Sequence, residues 1–334
     1  MDLVTDLRIG FDEYFKEIVL SHTPEQITGL RESVSYHFGW NKTVSLPGKR
    51  LRPLFLLLTY CSFGEAPQKA YNPAIALETL HNYTLVHDDI EDGGETRHGK
   101  PALWVETGMP LAINVGDYLA SLSHTIMSEI SEVDFPPLVR QRAIDTFQQA
   151  SLEVIQGQQL DITYENYPEI SIDQYLQMIR LKTSRLFASA MTISARLQNL
   201  DLKLEAKLEE IGEKLGLGFQ IQDDYLGIWG QSILTGKSVS TDLLTRKKTY
   251  PALIGLERSY EFGRLWKPDV MLTEDNLNSM KTALEDCGAM EETLDLANTY
   301  YQESVDELVT ILPKDNPYGQ AFINLLGVMF APSL

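Results

Sequence analysis

Two short segments carry aspartates at a spacing that could bind a metal ion. The first is LVHDDIEDGG, where Asp88, Asp89 and Asp92 close an apolar stretch that predicts a helix. Asp88 and Asp92 are four residues apart, so on a helix their carboxylates share one face and repel each other. The negative end of the helix dipole disfavours them further unless a cation of high charge binds there. Oxygen ligands of this kind favour magnesium, which keeps some of its waters and accepts phosphate oxygens.

The segment GFQIQDDYLGIWG repeats this arrangement near a second predicted helix end. Asp223 and Asp224 follow an apolar run, and Gly227 and Gly230 come shortly after them. Two such helix ends facing each other in a bundle would hold several magnesium ions and leave coordination positions for a diphosphate. Each cluster taken alone could equally be a solvated acidic helix end, and the residues by themselves leave that possibility open.

Hydrophobic periodicity predicts the elements that position these acids. Apolar residues recur at intervals of three and four almost throughout the chain, which predicts an all-α protein. Ser171 with Gln174 forms a capping-box pattern, and Gly93 and Gly288 stand where a helix needs a left-handed residue at its C-terminus. Thr273 stands where a later helix needs an N-cap residue. The predicted helices are Leu3–Leu20, Lys49–Cys61, Ala74–Asp92, Pro110–Ser131, Pro136–Tyr164, Ile172–Leu197, Leu202–Ile228, Thr249–Tyr260, Glu274–Cys287 and Met290–Ile311.

Composition limits the classes of partner and compartment. The chain has 334 residues, and its 47 acidic against 28 basic side chains give a net charge of -19, which disfavours binding to nucleic acid or anionic lipid. Cys61 and Cys287 are too few and too far apart for a disulfide framework or a zinc site, so we expect the reducing cytoplasm. No signal-peptide pattern and no apolar run of membrane-spanning length is seen, so membrane insertion is not expected. No linker or repeat divides the chain, and we expect one domain over residues 1–334.

Basic side chains adjoin Gly, Thr and Asp residues in four segments. Each would be an ordinary surface charge by itself, but in a chain this acidic their grouping indicates local phosphate pockets. The basic residues are Lys49 and Arg52 in PGKRLRP, Arg97 in ETRHGK, Lys182 and Arg185 in RLKTSR, and Lys237, Arg246, Lys247 and Lys248 in TGKSVSTDLLTRKK.

These segments, in this order, resemble the motifs of the trans-type polyprenyl diphosphate synthases. The resemblance implies a single helical bundle around a deep central cavity (the isoprenoid synthase type I fold), usually a homodimer. It also implies head-to-tail condensation of isopentenyl diphosphate with an allylic diphosphate. The segments that carry the resemblance are GKRLRP at 48–53, ETLH at 78–81, HDDIED at 87–92, GQQLD at 157–161, Lys182-Thr183, FQIQDD at 219–224 and GKSVSTDLLTRKKTYP at 236–251.

The same resemblance implies a role for each matching residue. The magnesium ligands would be Asp88, Asp92 and Asp223, holding about three ions for each site. Residues supporting them would be Asp89, Gln158, Asp161 and Asp224. The allylic diphosphate would be bound by Arg97, Lys182, Thr183, Gln220, Lys237 and Lys247. Isopentenyl diphosphate would be bound by Lys49, Arg52, His81 and His98. The residues expected to be catalytic are Asp88, Asp92, Lys182, Asp223 and Lys247.

Two positions depart from the family pattern. His98 stands where the family often has a second arginine, and a neutral imidazole is a weaker phosphate ligand than a guanidinium. Gly227 stands where many members have the last Asp of a second DDxxD motif, so we expect weaker but not abolished metal binding there. The segment from Lys237 to Lys248 would act as a lid over bound diphosphate.

Product length is expected to depend on the helix that carries Asp88. Tyr83 lies five residues before Asp88 and Thr84 four, with one aromatic and one small side chain. This pattern resembles geranylgeranyl diphosphate synthases, with farnesyl diphosphate as the alternative product, although Tyr83 could merely pack on a neighbouring helix. Irregular coupling, terpene cyclisation and a noncatalytic partner subunit also stay open. The basic residues Lys49, Arg52 and His81 argue against a cyclase, which has no second diphosphate to bind.

Overall fold

A computed structural model describes residues 2–41, 48–230 and 241–331. These residues are helical apart from loops and one hairpin of two short strands, which confirms the all-α prediction. They form two compact units: unit 1 comprises Met1–Ser151, Ser189–Glu209 and Ile311–Leu325, and unit 2 comprises Leu152–Ala188, Glu210–Thr310 and Leu326–Leu334. The expectation of a single domain stays a prediction. No helix in the described part of the chain is long and apolar enough to cross a membrane.

The described helices are numbered in chain order. The first ten and the two strands are α1 Leu3–His22, α2 Thr28–His37, α3 Leu51–Ser62, α4 Tyr71–Glu91, β1 Thr96–Arg97, β2 Lys100–Pro101, α5 Leu103–Thr107, α6 Met109–Ser128, α7 Pro137–Glu165, α8 Ile172–Ile179, α9 Arg185–Leu197 and α10 Leu202–Trp229. The remaining helices are α11 Thr241–Leu244, α12 Tyr250–Arg258, α13 Tyr260–Leu265, α14 Glu274–Asp286, α15 Ala289–Ile311 and α16 Pro317–Met329. A short 3₁₀ turn, Pro67–Ala70, leads into α4.

In unit 1, α4 is the element that carries the first acidic segment. The residues from Ala74 to Leu80 are all buried, as expected for a helix that is apolar around its whole circumference. The helix ends where predicted: Gly93 is left-handed with a φ of 64°, and the N–H of Gly94 donates to the carbonyl of Asp89 at 2.8 Å. This closure leaves the side chains of Asp88 and Asp92 on the last turn of the helix.

In unit 2, glycines allow two helices to approach the backbone of a kinked segment. A π-helical turn, Arg180–Ser184, joins α8 to α9, so the predicted continuous helix Ile172–Leu197 was wrong at this point. A Cβ atom at Gly157 would lie 2.2 Å from the backbone N of Lys182, and one at Gly216 would lie 2.5 Å from the Cα of Ser184. Because only glycine fits at these contacts, α7 and α10 fix the position of the π turn.

Several predicted helix boundaries are confirmed by their hydrogen bonds. Ser171 and Gln174 form the complete capping box of α8, and the Thr273 side chain accepts from the N–H of Asn276 at the start of α14. Gly288 is left-handed after α14, with a φ of 79°. Gly227, in contrast, lies inside α10 and does not end it. The sequence analysis missed α2, α5, α11, α13 and α16.

Candidate active site

The aspartates of the first acidic segment differ in their exposure to solvent: one is buried and two are accessible. Asp89 is 5% exposed and makes a bidentate contact with one edge of a guanidinium: Arg97 Nε donates to Oδ2 and Arg97 Nη2 to Oδ1, each at 2.7 Å. Burial raises the pKa of Asp89, while Arg97 opposes that rise. Asp88 and Asp92 stay accessible to solvent, and Arg97 Nη2 lies 3.9 Å from Asp88 Oδ2. Asp88 and Asp92, which are expected to bind metal, are therefore accessible to solvent. Asp89, which is expected to support them, is buried.

The donor set on α4 fits magnesium by its chemistry. Asp88 and Asp92 offer carboxylate oxygens from the same helix face, and magnesium commonly takes one or two carboxylates while water and substrate phosphates fill its other positions. Within residues 2–41, 48–230 and 241–331, no group of three or more His, Cys, Asp or Glu side chains is arranged to hold a metal ion. In unit 1, magnesium binding would thus depend on oxygens from the ligand as well as on this pair.

The hairpin after α4 holds Arg97 and His98 in fixed positions. His98 and Gly99 form its two-residue loop with φ values of 53° and 77°, the arrangement of a type I′ turn. Tyr36 of α2 donates its hydroxyl to the carbonyl of Pro101 at 2.9 Å, and Lys100 Nζ donates to the carbonyl of Tyr36. His98 lies exposed at the tip. Although much of the residue is accessible, partial desolvation of its ring by the neighbouring chain, together with the cations Arg97 and Lys100, lowers the pKa of His98, so the neutral form prevails at pH 7.

Arg52 and His81, both expected to bind isopentenyl diphosphate, lie in direct contact. Arg52 Nη1 is 3.0 Å from His81 Nε2, a geometry in which a neutral imidazole accepts from the guanidinium. Burial and the nearby Arg52 and Arg97 hold the pKa of His81 well below its ordinary value. Burial also lowers the pKa of Arg52 to about 10. Lys49 is exposed just before α3. The structure thus brings Arg52 and His81 together in unit 1, with Arg97 close enough to lower the pKa of His81.

Arg50 is a residue of this region that the sequence analysis missed. It adopts a left-handed backbone with a φ of 52°, and its side chain is buried between two acids. Arg50 Nε donates to Asp12 Oδ1 at 2.9 Å, and Nη1 donates to Glu78 Oε1 at 2.7 Å. Glu78 also accepts from Asn82 Nδ2 at 3.1 Å. This buried network ties Arg50, the residue before α3, to α1 and α4, and so fixes the start of the helix that carries Arg52.

The two aspartates of the second acidic segment, in unit 2, also differ in their exposure to solvent. Asp223 is exposed, whereas Asp224 is 4% exposed and accepts from three neutral donors. These donors are the hydroxyl of Tyr175, the backbone N–H of Tyr250 at 3.0 Å and Gln220 Nε2 at 3.1 Å. Burial raises the pKa of Asp224 to about 7, and these hydrogen bonds oppose the rise. Asp224 therefore joins α8, α10 and α12, and Asp223 points its carboxylate to solvent.

Three of the residues expected at the allylic diphosphate gather around Asp161 and Gln220. Lys182 Nζ donates to Asp161 Oδ2 at 2.5 Å, and Lys247 Nζ lies 3.6 Å from the same oxygen. Burial opposes ionisation of Asp161, but the two lysines hold its pKa below the ordinary value. Thr183 Oγ1 donates to Gln220 Oε1 at 2.9 Å.

The remaining residues expected here are less informative. Gln158 is partly buried on α7. Lys237, and with it part of the expected lid, lies outside the described residues. Arg246, for which only a general phosphate role was expected, donates to the backbone carbonyls of Trp266 and Val270.

The two residues expected to set product length occupy different surroundings. Tyr83 is buried, with its ring edge-on to His87 at a centroid distance of 5.6 Å, and burial raises its pKa to about 12. The His87 ring lies against α6, where a Cβ at Gly116 would come within 2.1 Å of Nε2. Tyr83 therefore belongs to the face of α4 that packs near α6. Thr84 is partly buried and donates to the carbonyl of His81 at 2.7 Å. The role of both residues in product length stays a prediction.

Comparison with known proteins agrees with the motifs. Residues 39–286 match the family model described as polyprenyl synthetase. The chain is 31% identical over 300 residues to the (2E,6E)-farnesyl diphosphate synthase of Mycobacterium tuberculosis, covering 86% of this chain and 82% of that protein. It is 33% identical over 310 residues to the geranylgeranyl pyrophosphate synthase of Geoglobus acetivorans, covering 93% and 92%.

A solved structure gives the same relationship. The geranylgeranyl pyrophosphate synthetase of the archaeon Geoglobus acetivorans superposes with a TM-score of 0.86 at 30% identity, covering 99% of this chain and 100% of that one. The helical architecture, the ordered motifs and the matched length all agree with these relatives. The chain therefore belongs to the polyprenyl synthetase family and is a prenyltransferase of isoprenoid biosynthesis.

Proposed function

We propose that the chain condenses isopentenyl diphosphate head to tail with an allylic diphosphate, in a magnesium-dependent reaction, and that its main product is geranylgeranyl diphosphate. The observation that supports this proposal best is the contact between Arg52 and His81 in unit 1. It concentrates a buried guanidinium and a neutral imidazole on one helix pair of unit 1, while Lys182 and Lys247 form a basic group of unit 2. An enzyme with two diphosphate substrates needs two such groups, whereas a cyclase needs one.

The reaction begins with ionisation of the allylic substrate. Its C–O bond breaks, and the diphosphate leaves with the electron pair. Magnesium held by Asp88, Asp92 and Asp223 would neutralise charge on that diphosphate. Lys182, Lys247 and Arg97 act in the same direction: a unit charge about 4 Å from the leaving oxygens contributes on the order of 4 kcal/mol at an effective dielectric constant of 20. Lys182 and Lys247 both pair with Asp161. A bound diphosphate would therefore compete with that carboxylate for hydrogen bonds from the two ammonium groups.

Carbon–carbon bond formation follows ionisation. The double bond of isopentenyl diphosphate attacks the allylic carbocation, and a proton then leaves the new cation. The acids near the site are committed to metal or to buried hydrogen bonds, so we assign the proton to the departed diphosphate. Arg52, with His81 behind it, would hold the diphosphate of isopentenyl diphosphate during this step. Because Arg97 uses two of its five N–H groups on Asp89, it keeps donors for a ligand.

The test is incubation of the purified chain with labelled isopentenyl diphosphate and each allylic primer, with product length read by chromatography. Condensation that requires magnesium supports the proposal. Turnover of an allylic substrate without isopentenyl diphosphate would identify a cyclase, and a chain inactive alone but active with a homologue would identify a partner subunit.

Product length is tested on α4 itself. Tyr83→Ala should lengthen the product, because each further buried methylene of the tail is favourable by about 0.8 kcal/mol. Thr84→Phe should shorten it. An unchanged product distribution in both variants would show that another helix limits the tail.

The proposed active form is a homodimer in the cytoplasm. Three apolar side chains on the first turns of α6 are exposed: Leu111 at 57%, Met109 at 48% and Ile113 at 42%. Met109 and Ile113, four residues apart, share one face of α6, and exposed apolar side chains on one face are typical of a surface that a second protein covers. Light scattering of the purified chain should give twice the mass of 37.7 kDa, and Leu111→Glu should reduce it to that of the monomer.

A further inference from the structure

The hairpin after α4 carries one residue expected at each substrate: Arg97 at the allylic diphosphate and His98 at isopentenyl diphosphate. Its ladder consists of only two residue pairs. Because a two-stranded hairpin is barely stable by itself, contacts with neighbouring helices must fix its position. The first strand has such a contact, since Arg97 pairs with Asp89 of α4.

The second strand is held by the C-terminal end of α2. Lys100 Nζ donates to the carbonyl of Tyr36 and, at 3.3 Å, to that of His37, and it lies 4.3 Å from the centroid of the Tyr36 ring. Tyr36 and His37 are the last residues of α2, where carbonyls lack partners within the helix and the helix dipole attracts a cation. In return, the Tyr36 hydroxyl donates to the carbonyl of Pro101 at 2.9 Å. Helix end and strand therefore hold each other through donors from both sides.

The end of α2 is itself tied to α4. His37 Nε2 lies 3.0 Å from Asn82 Oδ1, while Asn82 Nδ2 donates to the carbonyl of Glu78 at 2.8 Å and so turns the amide oxygen toward His37. Desolvation lowers the pKa of His37 to about 3, so its ring is neutral and Nε2 carries the donated proton. Asn82 directly follows His81, which contacts Arg52. The end of α2 thus contacts the hairpin on one side and α4 beside His81 on the other.

The two sets of contacts have different consequences for Arg97. Its pair with Asp89 uses two N–H groups, and the remaining donors must point at a ligand for Arg97 to bind it. Because Lys100 and Tyr36 hold the second strand, the direction of the guanidinium does not depend on the pair with Asp89 alone. A group that is already in place when the ligand arrives binds it at a lower cost in entropy.

We propose that Lys100 and Tyr36 are positioning residues for both diphosphates: they hold the hairpin on the end of α2 and so place Arg97 and His98 where the two substrates bind. The inference rests on the proposed function, since it concerns the two substrates named there. It gives a distinct signature. Loss of either contact should weaken both diphosphates, whereas Arg52→Ala should weaken isopentenyl diphosphate alone.

The experiment measures binding, so it does not depend on turnover. Isothermal titration with isopentenyl diphosphate alone, and with geranyl diphosphate and magnesium alone, compares the unchanged chain with two variants. Lys100→Met removes the charge and the donors but keeps a long side chain, and both dissociation constants should rise about tenfold, as for loss of a hydrogen bond from a charged group. Tyr36→Phe keeps the ring and removes one neutral donor, and both constants should rise about threefold.

Two further variants separate positioning from a general loss of structure. Lys100→Arg keeps a cation with donors and should stay within about threefold of the unchanged chain. Lys16→Met, at an exposed position on α1, is the matched control and should bind both diphosphates as the unchanged chain does. Combining Lys100→Met with Tyr36→Phe should weaken binding by less than the product of the single effects, because the first change already releases the strand.

Hydrogen exchange reports the position of the hairpin without any substrate. The N–H of Ala102 donates to the carbonyl of Glu95 at 2.8 Å and closes the hairpin at its base. In Lys100→Met this N–H should exchange about tenfold faster than in the unchanged chain, because local opening costs less once the second strand is released. In Lys16→Met its exchange should be unchanged.

The inference is overturned if Lys100→Met weakens only one diphosphate or neither, or if Lys100→Arg is impaired as much as Lys100→Met. It is also overturned if the Ala102 N–H exchanges at the same rate in Lys100→Met as in the unchanged chain. A chain that showed the expected changes in binding and exchange but formed no prenyl product would contradict the proposed function and leave this inference standing.

Discussion

The last turn of α4 in unit 1 and the corresponding turn of α10 in unit 2 each bury one aspartate, but they satisfy it with different partners. Asp89 receives a charged guanidinium, whereas Asp224 receives a hydroxyl, an amide N–H and a side-chain amide. A cation favours the ionised carboxylate through its charge, whereas neutral donors favour it through hydrogen bonds alone. Burial raises the pKa of both acids, but only that of Asp224 is raised as far as about 7.

Because their buried acids have different partners, the ends of α4 and α10 have different roles. On α4, the cation that stabilises the buried acid is itself a candidate ligand for diphosphate, since Arg97 also approaches Asp88. On α10, the buried acid joins three helices, and the cations of the region instead pair with Asp161 on α7. The end of α4 is thus stabilised electrostatically, while the end of α10 is stabilised by neutral hydrogen bonds.

The largest effect should come from the accessible acids. Asp88→Ala and Asp92→Ala should each lower the turnover number at least about 100-fold, the cost of losing one strong interaction with charge that develops in the transition state. The thermal unfolding midpoint should change little, since both side chains are accessible to solvent. Steady-state kinetics with saturating magnesium measures the turnover number, and calorimetry measures the unfolding midpoint. Near-normal turnover in either variant would contradict the metal assignment.

A second prediction separates the two buried acids by stability. Asp89→Asn should cost about 3 kcal/mol of unfolding free energy, the lower end of the range for breaking a buried ion pair, because Arg97 is 24% exposed. Asp224→Asn should cost less than about 1 kcal/mol, since it removes no charged partner and keeps one oxygen for Tyr175 and Tyr250.

Gln220 explains why the Asp224→Asn variant should be mild. If the Gln220 amide rotates, its oxygen can accept from the side-chain amide introduced at position 224, while its nitrogen donates to the hydroxyl of Thr183. Urea unfolding of the two variants beside the unchanged chain measures the contrast. Equal costs would show that the charge of Arg97 contributes nothing particular to the end of α4.

A third prediction concerns the basic residues of each unit. Arg52→Ala should raise the Michaelis constant of isopentenyl diphosphate about tenfold or more, and Lys182→Ala should do the same for the allylic substrate, as for loss of a hydrogen bond to a charged group. Lys314→Ala, on an exposed loop, is the control. If both variants raised the same constant equally, the assignment of one substrate to each group would be wrong.

The sequence predicted the positions of the helices better than it predicted the tertiary contacts between them. Apolar periodicity and a glycine stop signal placed α4 at Ala74–Asp92, close to the observed Tyr71–Glu91. In contrast, α2 was missed because its residues lack a strong apolar pattern. Tertiary hydrogen bonds hold it, among them those from Arg31 to the carbonyls of Leu20 and Thr23 at 2.8 Å.

The site residues show the same limit. Motif spacing grouped Asp88, Asp92 and Asp223 as candidate ligands, but it could not show which neighbouring acid is buried. Asp89 meets Arg97 through a bidentate contact between the last turn of α4 and strand β1. Such contacts follow from tertiary packing, which local patterns do not encode.

The smallest expected effect concerns His98, at the tip of the hairpin that carries Arg97. His98→Arg should lower the Michaelis constant of isopentenyl diphosphate by a few-fold, because a permanent charge replaces a neutral ring. The gain should stay modest, since a left-handed position favours histidine over arginine and Arg97 and Lys100 already repel a third cation. The pH dependence has a definite sign. Because the pKa of His98 is lowered from 6.5, the ring is neutral at pH 7 and above, so the advantage of arginine should be constant there and shrink only in more acidic solution, where His98 gains its own proton. Kinetics of both proteins from pH 6 to 8 measures this, with His98→Gln as the uncharged control. An advantage that grows as the pH falls would show that His98 does not act through its charge.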